Sequence, residues 1–412
     1  MTQLHSGETD VSPQATAIRQ IKLKKGEDRR IRSGHPWIYS NEIDTQVSPL
    51  KSFTPGEQVL VEAQDGTILG VAYINPHSLI AARLFSQNPT DRLDVKFFKG
   101  KIKTALQLRE RLFDKGYYRL IFGEADGLPG LIVDRFGKDF VIQTNTAGME
   151  SKQDDIVKAL RSVIPRINSI TARNDSSIRE LEGLEPYSRP IFREPPERGM
   201  VEENNTSFSF PLLKGQKTGW FYDHRANRNR LRDYVVNHSV LDVFSYLGGW
   251  GIQAAVFGAR RVDCIDASAL ACDYIKRNAE YNGVQNRVNV ICDDAFDALK
   301  QLVKEERKYN VIIVDPPAFV KRAKDRKEGL LAYQRINELA LKLLSPSGIL
   351  ISCSCSMHVS MDDLTHILHR AASKTHANIQ LIERGHQAPD HPVHIAIPET
   401  DYLKAIFVRK TN

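Results

Sequence analysis

The chain has 412 residues, 41% of them hydrophobic and 26% charged, a globular composition too long for one ordinary core, so two or three domains are expected. No window approaches the roughly 20 apolar residues of a membrane span, and the polar start MTQLHSGETDVSPQ does not read as a secretory signal, which points to the cytoplasm. A net charge of +7 favours a polyanionic partner, and the five cysteines (264, 272, 292, 353, 355) lack zinc-ligand spacing, so free thiols in a reducing compartment and no metal are expected.

Residues 1–17 show no periodicity and read as a mobile tail. From 18 to 90 short strands alternate with turn signals in IRQIKLK, GEQVLVEAQDGTILGVAYIN and LIAARLFS, and Asp65-Gly66 marks a hairpin. This is a small all-β module. Its segment RRIRSGHPWIYSNEI gathers Arg29, Arg30, Arg32, His35, Trp37 and Tyr39, a basic and aromatic mixture suited to RNA backbone contact and base stacking. Arg32, His35 and Trp37 are the candidate RNA contacts. The structural alternative uses Trp37 and Tyr39 to plug the barrel and leaves the arginines solvated.

Residues 91–200 read as a central α+β domain. A helix over DVKFFKGKIKTALQLRERLF stops near Lys115-Gly116, and strands in LIFGEADGLPGLIVDRFGKDFVIQTN turn at Asp126-Gly127 and Phe136-Gly137. A second helix, SKQDDIVKALRSVI, precedes the strand INSITARND. This β-β-helix-β pattern carries no chemical motif and reads as a spacer. The Pro-rich SRPIFREPPERG is the expected linker.

Residues 201–412 begin with a hairpin over 201–213 (VEENNTSFSFPLL) and continue into GQKTGWFYDHRANRNRLRDYV. Gly215 and Gly219 free the backbone, and the run from Asp223 is expected to be a helix carrying Arg225, Arg228, Arg230 and Arg232. These four cannot share one helical face. Some are solvated, and others, with Arg225 and Arg228 as candidates, meet phosphate or fix the helix on its own domain.

A doubly wound pattern follows. HSVLDVFSYLGGWGIQAAVFG is a buried strand ending at Asp242, then a loop with Gly248, Gly249 and Gly251, then a helix start with free N–H groups. Nicotinamide, flavin and S-adenosylmethionine sites all use a glycine-rich turn, but D-x-F-x-x-x-G-G is not G-x-G-x-x-G. An acid placed before the loop favours S-adenosylmethionine. The strand RRVDCID ends at Asp266, where a carboxylate can accept ribose hydroxyls, and RVNVICDDAF supplies Asp293 or Asp294 for an adenine amino group. Each acid alone could be a helix cap. Acids at three successive strand ends, Asp242, Asp266 and Asp293 or Asp294, point instead to a donor site lined also by Phe244, Gly248, Gly249 and Asp315.

Two apolar runs, VIIVDPPAFV and GILISCSCSMHVS, then bracket a helix as one βαβ unit. Its parallel strands open onto one rim, so Asp315 and Cys355 face one pocket. Asp315-Pro316-Pro317 is like the D/N-P-P signature of methyltransferases acting on planar nitrogen. Its prolines hold an extended loop, and Phe319 either stacks on an extruded base or packs internally. Alone, it points to N-methylation of adenine or guanine. Cys355 changes that, because a thiolate adding at C6 of cytosine or uracil makes C5 able to attack a sulfonium methyl. Cys353 is expected on the opposite face of the strand.

Together, GHPWIYS, GQKTGWFYDHRANR, LDVFSYLGGWG, DPPAFVK, SCSCSMH and DHPVHIAIPETDYLKAIF resemble the ribosomal RNA large subunit methyltransferase I family over nearly the whole chain from about residue 19. The resemblance implies an enzyme making 5-methylcytosine in 23S ribosomal RNA, with an N-terminal PUA-like β-barrel, a central α+β domain and a C-terminal Rossmann-like class I methyltransferase domain. By the same likeness Cys355 is the nucleophile, Asp315 the acid at the base, and Asp242, Asp266 and Asp294 the cofactor acids. Gln216, Lys217, Thr218 and Phe221 match a family segment near the donor, and Pro316, Pro317 and Phe319 face the base.

One departure is Ala318, which stands where other RNA cytosine methyltransferases carry a second cysteine. Uracil C5 enzymes also use D-P-P, with S-C-N, so uracil stays chemically open. Glu399 and Asp390 are candidates for removing the C5 proton, and His358 is either satisfied by the following helix or a participant. The rivals are an N-methyltransferase with a structural Cys355 and a non-catalytic ribosome assembly factor. The target position, free RNA against an assembled subunit, and a homodimer are left open.

Overall fold

A computed structural model describes residues 18–213 and 218–412. The expected tail at 1–17 and the candidates Gln216 and Lys217 lie outside the described residues. The chain divides into two compact units, Met1–Leu93 and Asp94–Asn412.

In the first unit, five short strands form a sheet in the order Arg19–Lys22, Gln58–Glu62, Ile68–Ile74, Ala82–Ser86, Trp37–Ile38. Alternation puts Ile21, Val59, Val61, Ala72 and Ile74 on one face, where Ile31, Ile38 and Ile43 close over them. Burying each of these Ile and Val side chains stabilises the fold by about 1.5–3 kcal/mol. Asp65-Gly66 turns the hairpin as expected, with Gly66 at φ +87°.

The second unit opens with a helix, Val95–Leu112, whose first turn is capped by Asp94 accepting from Phe97 N. Beside it lies a sheet in the order Tyr187–Phe192, Ser169–Asn174, Asp139–Thr144, Leu131–Phe136, Tyr117–Phe122. Three strands therefore precede the helix Gln153–Val163, where the sequence reading gave two. The expected linker is also corrected, because Tyr187–Phe192 pairs antiparallel with Ser169–Asn174. Pro190 is tolerated there because the strand lies at the sheet's edge. The hairpin Arg198–Glu203/Thr206–Pro211 follows, turning on Asn204 and Asn205, both left-handed at φ 52° and 62°. The helix expected from Asp223 is three short turns, Tyr222–His224, Arg225–Asn229 and Arg230–Asp233.

The third sheet positions the site. Its elements are β1 (Ser239–Val243), α1 (Gly251–Val256), β2 (Arg261–Asp266), α2 (Ala269–Tyr281), β3 (Val288–Cys292), α3 (Ala295–Lys304), β4 (Tyr309–Val314), α4 (Arg326–Leu343), β5 (Leu344–Ser354), α5 (Met361–Lys374), β6 (Ile379–Gly385) and β7 (Lys404–Lys410). The strand order is β3-β2-β1-β4-β5-β7-β6, with β1 to β5 parallel and β7 antiparallel to both β5 and β6. Its middle strands are buried on both faces. Val240, Val311, Ile313, Ile351 and Cys353 pack with α1, while Leu241, Val243, Ile312, Val314 and Leu350 pack with α3, α4 and α5. The order reverses between β1 and β4, the switch point where open α/β sheets bind ligands.

The sequence boundary at 200/201 falls inside this second unit. Thr218 Oγ1 donates to Asp134 at 2.5 Å, Tyr222 OH to the Arg135 carbonyl at 2.8 Å, and Arg119 N to Asp390 at 3.0 Å.

Candidate active site

On the donor side the loop after β1 holds Phe244 and Tyr246 in the left-handed region, at φ 66° and 52°, followed by Gly248 at φ 83°. Non-glycine residues hold such angles only where their surroundings enforce them. Here Tyr246 N donates to Asp266 at 2.8 Å, Tyr246 OH to the Gly219 carbonyl at 3.2 Å, and the Phe221 ring meets Tyr246 edge-on at 5.3 Å. Gly249 is backed by Trp220 and Arg228.

The three strand-end acids differ in exposure. Asp242 is fully buried, one oxygen accepting from Gly251 N at 2.8 Å and the other without a partner among the described residues. Burial pushes its carboxyl up to about 7 against the Gly251 and Ser245 hydrogen bonds. Asp266 is partly exposed at the end of β2, accepts from Tyr246 N and Ser268 N, and is also raised by burial. Asp294 is exposed and caps α3 through Phe296 N and Asp297 N, while Asp293 accepts from Asp294 N.

On the chemical side Asp315 follows β4 directly. Its Oδ2 accepts from Trp250 Nε1 at 3.0 Å, and its Oδ1 lies 3.2 Å from His224 Nε2, a close contact without hydrogen-bond geometry. Burial opposes the charge on Asp315, but His224 and the Trp250 N–H outweigh it and hold the carboxyl below its usual range. Asn227 Nδ2 lies 3.2 Å from His224 Nδ1 and donates to the His386 carbonyl at 3.0 Å, which fixes the amide. With Nδ1 as acceptor, the His224 proton sits on Nε2, facing Asp315.

Cys355 lies just past β5 and is partly exposed. The serines beside it are tied down. Ser354 Oγ and Ser356 Oγ both meet Tyr333 OH of α4 at 3.0 Å, and Val320 N donates to Ser356 Oγ at 3.3 Å. The S-C-S segment is thereby tethered to the D-P-P loop. On the other side Lys404 Nζ donates to the Ser356 carbonyl at 2.7 Å.

Several expectations are corrected. Cys353 does not turn away, because residues two apart on a strand share a face. Its Sγ lies within 4.8 Å of the ligand atoms of His224 and Asp315. Cys353 is fully buried, which pushes its thiol well up and keeps it neutral. Arg225 and Arg228 do not present phosphate contacts, since both are buried against Glu203. Arg225 also donates to the Tyr117 carbonyl, and Arg228 to Phe221 O at 2.6 Å. Phe319 packs on Tyr333 at 4.8 Å, with Phe244 and Phe296 at 6.2 and 6.3 Å, so its packing role is the one observed. Thr218 is buried and spent on Asp134. Pro316 is buried and Pro317 exposed. Asp390 is buried between Arg119 N and His391, whereas Glu399 and His358 are exposed. His358 is not needed at α5, whose cap is the reciprocal Ser360–Asp363 pair.

In the first unit, Arg32 is exposed and paired with Asp28 and Asp65. His35 Nδ1 accepts from Trp37 N at 3.1 Å, and the two rings meet edge-on at 5.6 Å. Both are partly exposed.

Comparison with known proteins gives this geometry a family. The family model of a PUA-like domain matches residues 21–87, and that of an S-adenosylmethionine-dependent methyltransferase matches residues 140–409. A ribosomal RNA large subunit methyltransferase I from Aliivibrio fischeri is 37% identical over 94% of this chain and 98% of its own. The chain belongs to the ribosomal RNA large subunit methyltransferase I family. A member from Cronobacter sakazakii is 35% identical over 93% of this chain and 98% of its own. The crystal structure of SMU.776 complexed with SAH shares the fold at a TM-score of 0.81, with 20% identity over 95% of this chain and all of that one. The N-terminal sheet is thus PUA-like, the C-terminal sheet is that of a methyltransferase, and the cofactor is S-adenosylmethionine. No helix among the described residues is long and apolar enough to cross a membrane.

Sequence reasoning missed His224, Trp250, Tyr333 and Lys404. Trp250 and His224 stood inside quoted motifs, LGGWG and DHRANR, but nothing local says that both reach Asp315. Lys404 did carry a signal, as the one lysine in an otherwise apolar strand start, LKAIFV.

Proposed function

We propose that this protein methylates C5 of a cytosine in 23S ribosomal RNA, with Cys355 adding covalently at C6. Ribosomal RNA comes from the name its relatives carry. The chemistry rests on one observation. Of the two thiols at the end of β5, Cys353 is sealed against Asp315, while Cys355, two residues on, opens to the rim.

S-adenosylmethionine, when bound, supplies an electrophilic methyl group on a sulfonium. Asp266 would accept its ribose hydroxyls, Asp294 would face its adenine amino group, and the backbone of Gly248 and Gly249 would lie against it. The unpartnered Asp242 oxygen and the enforced angles of the loop fit such a cradle. The Cys355 thiolate would add to C6, the C5=C6 electron pair passing to C5 and the N3/O2 system, while Asp315 bonds the N3/N4 edge of the base. Once C5 carries the methyl, loss of the C5 proton re-forms the double bond and expels the thiolate. Asp390 has both oxygens engaged, so of the two candidate acids Glu399, which is exposed, is the one proposed to take that proton. Arg32, His35 and Trp37 hold flanking RNA, and the cytoplasm is the compartment of this substrate.

The test is transfer from labelled donor to large-subunit RNA of a strain lacking the protein, followed by mass analysis of the nucleosides. The expected product is 5-methylcytidine. A 5-methyluridine product moves the target to uracil, a methyl on a purine nitrogen returns Cys355 to a structural role, and no transfer leaves an assembly factor.

A further inference from the structure

Lys404 begins β7 opposite Ser354, with its side chain buried. Lysine is seldom buried without a carboxylate, yet among the described residues none lies within ion-pair distance of its Nζ. Nζ instead donates to two carbonyls at 2.7 Å, those of Ser356 and Tyr402. Ser356 is the residue after Cys355, so the ammonium is anchored on the turn that presents the thiol. We infer that Lys404 is a positioning residue whose ammonium is the counter-charge of the Cys355 thiolate.

The surroundings support this assignment. Burial lowers the Lys404 ammonium, and among the charges that restore it Cys355 comes first, ahead of Asp401 and Asp363. Cys353 on β5, Tyr333 on α4 and Tyr402 before β7 also face Cys355. None of these three can carry positive charge. Beyond them stand Asp315 with His224, and Asp223, which accepts from Tyr402 OH at 2.6 Å. The two carboxylates oppose a further negative charge on the rim. An adjacent lysine is a recognised means of lowering a thiol's proton affinity. A purely mechanical role, bracing the turn through two carbonyls, needs the donors but not the charge.

The inference rests on Cys355 being the nucleophile, so its test is read without turnover. The rate of iodoacetamide alkylation at Cys355 is followed against pH in the full-length protein, with the Cys355 peptide resolved by mass spectrometry because Cys292 is also exposed. In the wild type the midpoint should fall below the ordinary thiol value of about 8.5. A midpoint at or above that value overturns the proposal, whether or not any variant folds. Lys404→Gln keeps a donor and removes the charge, and Lys404→Met removes both. Each should move the midpoint up by about one pH unit or more, roughly a tenfold loss of thiolate near neutrality. Lys404→Arg should return it toward the wild type. Folded Gln and Met variants with an unmoved midpoint would reduce Lys404 to a brace. Failure of the covalent reading appears separately, as activity retained by Cys355→Ala.

Discussion

The two halves of the seven-stranded sheet hold their functional groups by different means. In the β1–β3 half, Asp242, Asp266 and Asp294 are gripped by backbone N–H groups, Asp242 by Gly251, Asp266 by Ser268 and by Tyr246 of the neighbouring loop, and Asp294 by Phe296 and Asp297. In the β4–β7 half, Asp315 is gripped by the side chains of Trp250 and His224, and the Cys355 turn by Tyr333, Val320 and Lys404. A group held by its own loop tolerates drift elsewhere in the fold. One held from two or three other segments is only as well placed as all of them together, which suits chemistry that depends on sub-ångström alignment.

The comparison breaks most visibly at Cys355. Cys355→Ala should lower turnover by about a thousandfold or more while leaving donor affinity within about twofold. Full activity in single-turnover assays would end the covalent reading. His224→Phe keeps the ring and removes the contact to Asp315. It should cost about a hundredfold in kcat, the scale of a displaced acid–base group, with donor binding unchanged. An unaltered kcat would mean that Trp250 alone suffices.

In the other half the readout reverses. Asp266→Ala removes a charged acceptor worth about 1.5–3 kcal/mol and should weaken donor binding by about tenfold to a hundredfold by calorimetry, with turnover largely kept at saturation. Asp242 gives a signature in pH. Its carboxyl titrates near 7 when folded, above its usual value of 3.8, so between those limits the folded state holds a proton that the unfolded state has lost. Stability therefore falls as pH rises through that window and levels above it. Asp242→Asn should lack this fall and gain on the order of 2–4 kcal/mol relative to wild type between pH 5 and 8 in denaturant titrations. Parallel curves would contradict the assignment. The smallest effect lies in the PUA-like unit. Arg32→Ala should lower RNA affinity a few-fold and reduce the salt dependence by about one ion, with no change in folding.

The same contrast decides what could be read in advance. Strand-end acids announce themselves by spacing, because each sits at a fixed offset from an apolar run and its loop, and Asp65-Gly66 and Asn204-Asn205 turn their hairpins through local backbone preference alone. For Arg225 and Arg228 the structure decides between phosphate contact and fixing the segment on its own domain in favour of the second, and nothing adjacent in sequence reveals their partner Glu203, which is buried with them. Cys353 shares a face with position 355 because strand side chains repeat every two residues, a placement already present in the spacing. Tyr187–Phe192 hid behind its proline, which an edge position excuses. The partners of Asp315 and Cys355 come from segments up to about ninety positions away, and only the packed fold brings them in.

One further consequence follows from the place of β7. Residues 404–410 pair on one side with β5 and on the other with β6, both earlier in the chain. Until that strand arrives, β5 and β6 present two unsatisfied edges with a gap between them, and closing it is a late, long-range event of the kind that slows folding and invites association between chains. Lys404 enters with the same strand. On the proposed role of Lys404, a chain caught short of completion lacks the counter-charge of Cys355, and reactivity there would be acquired in the step that seals the sheet.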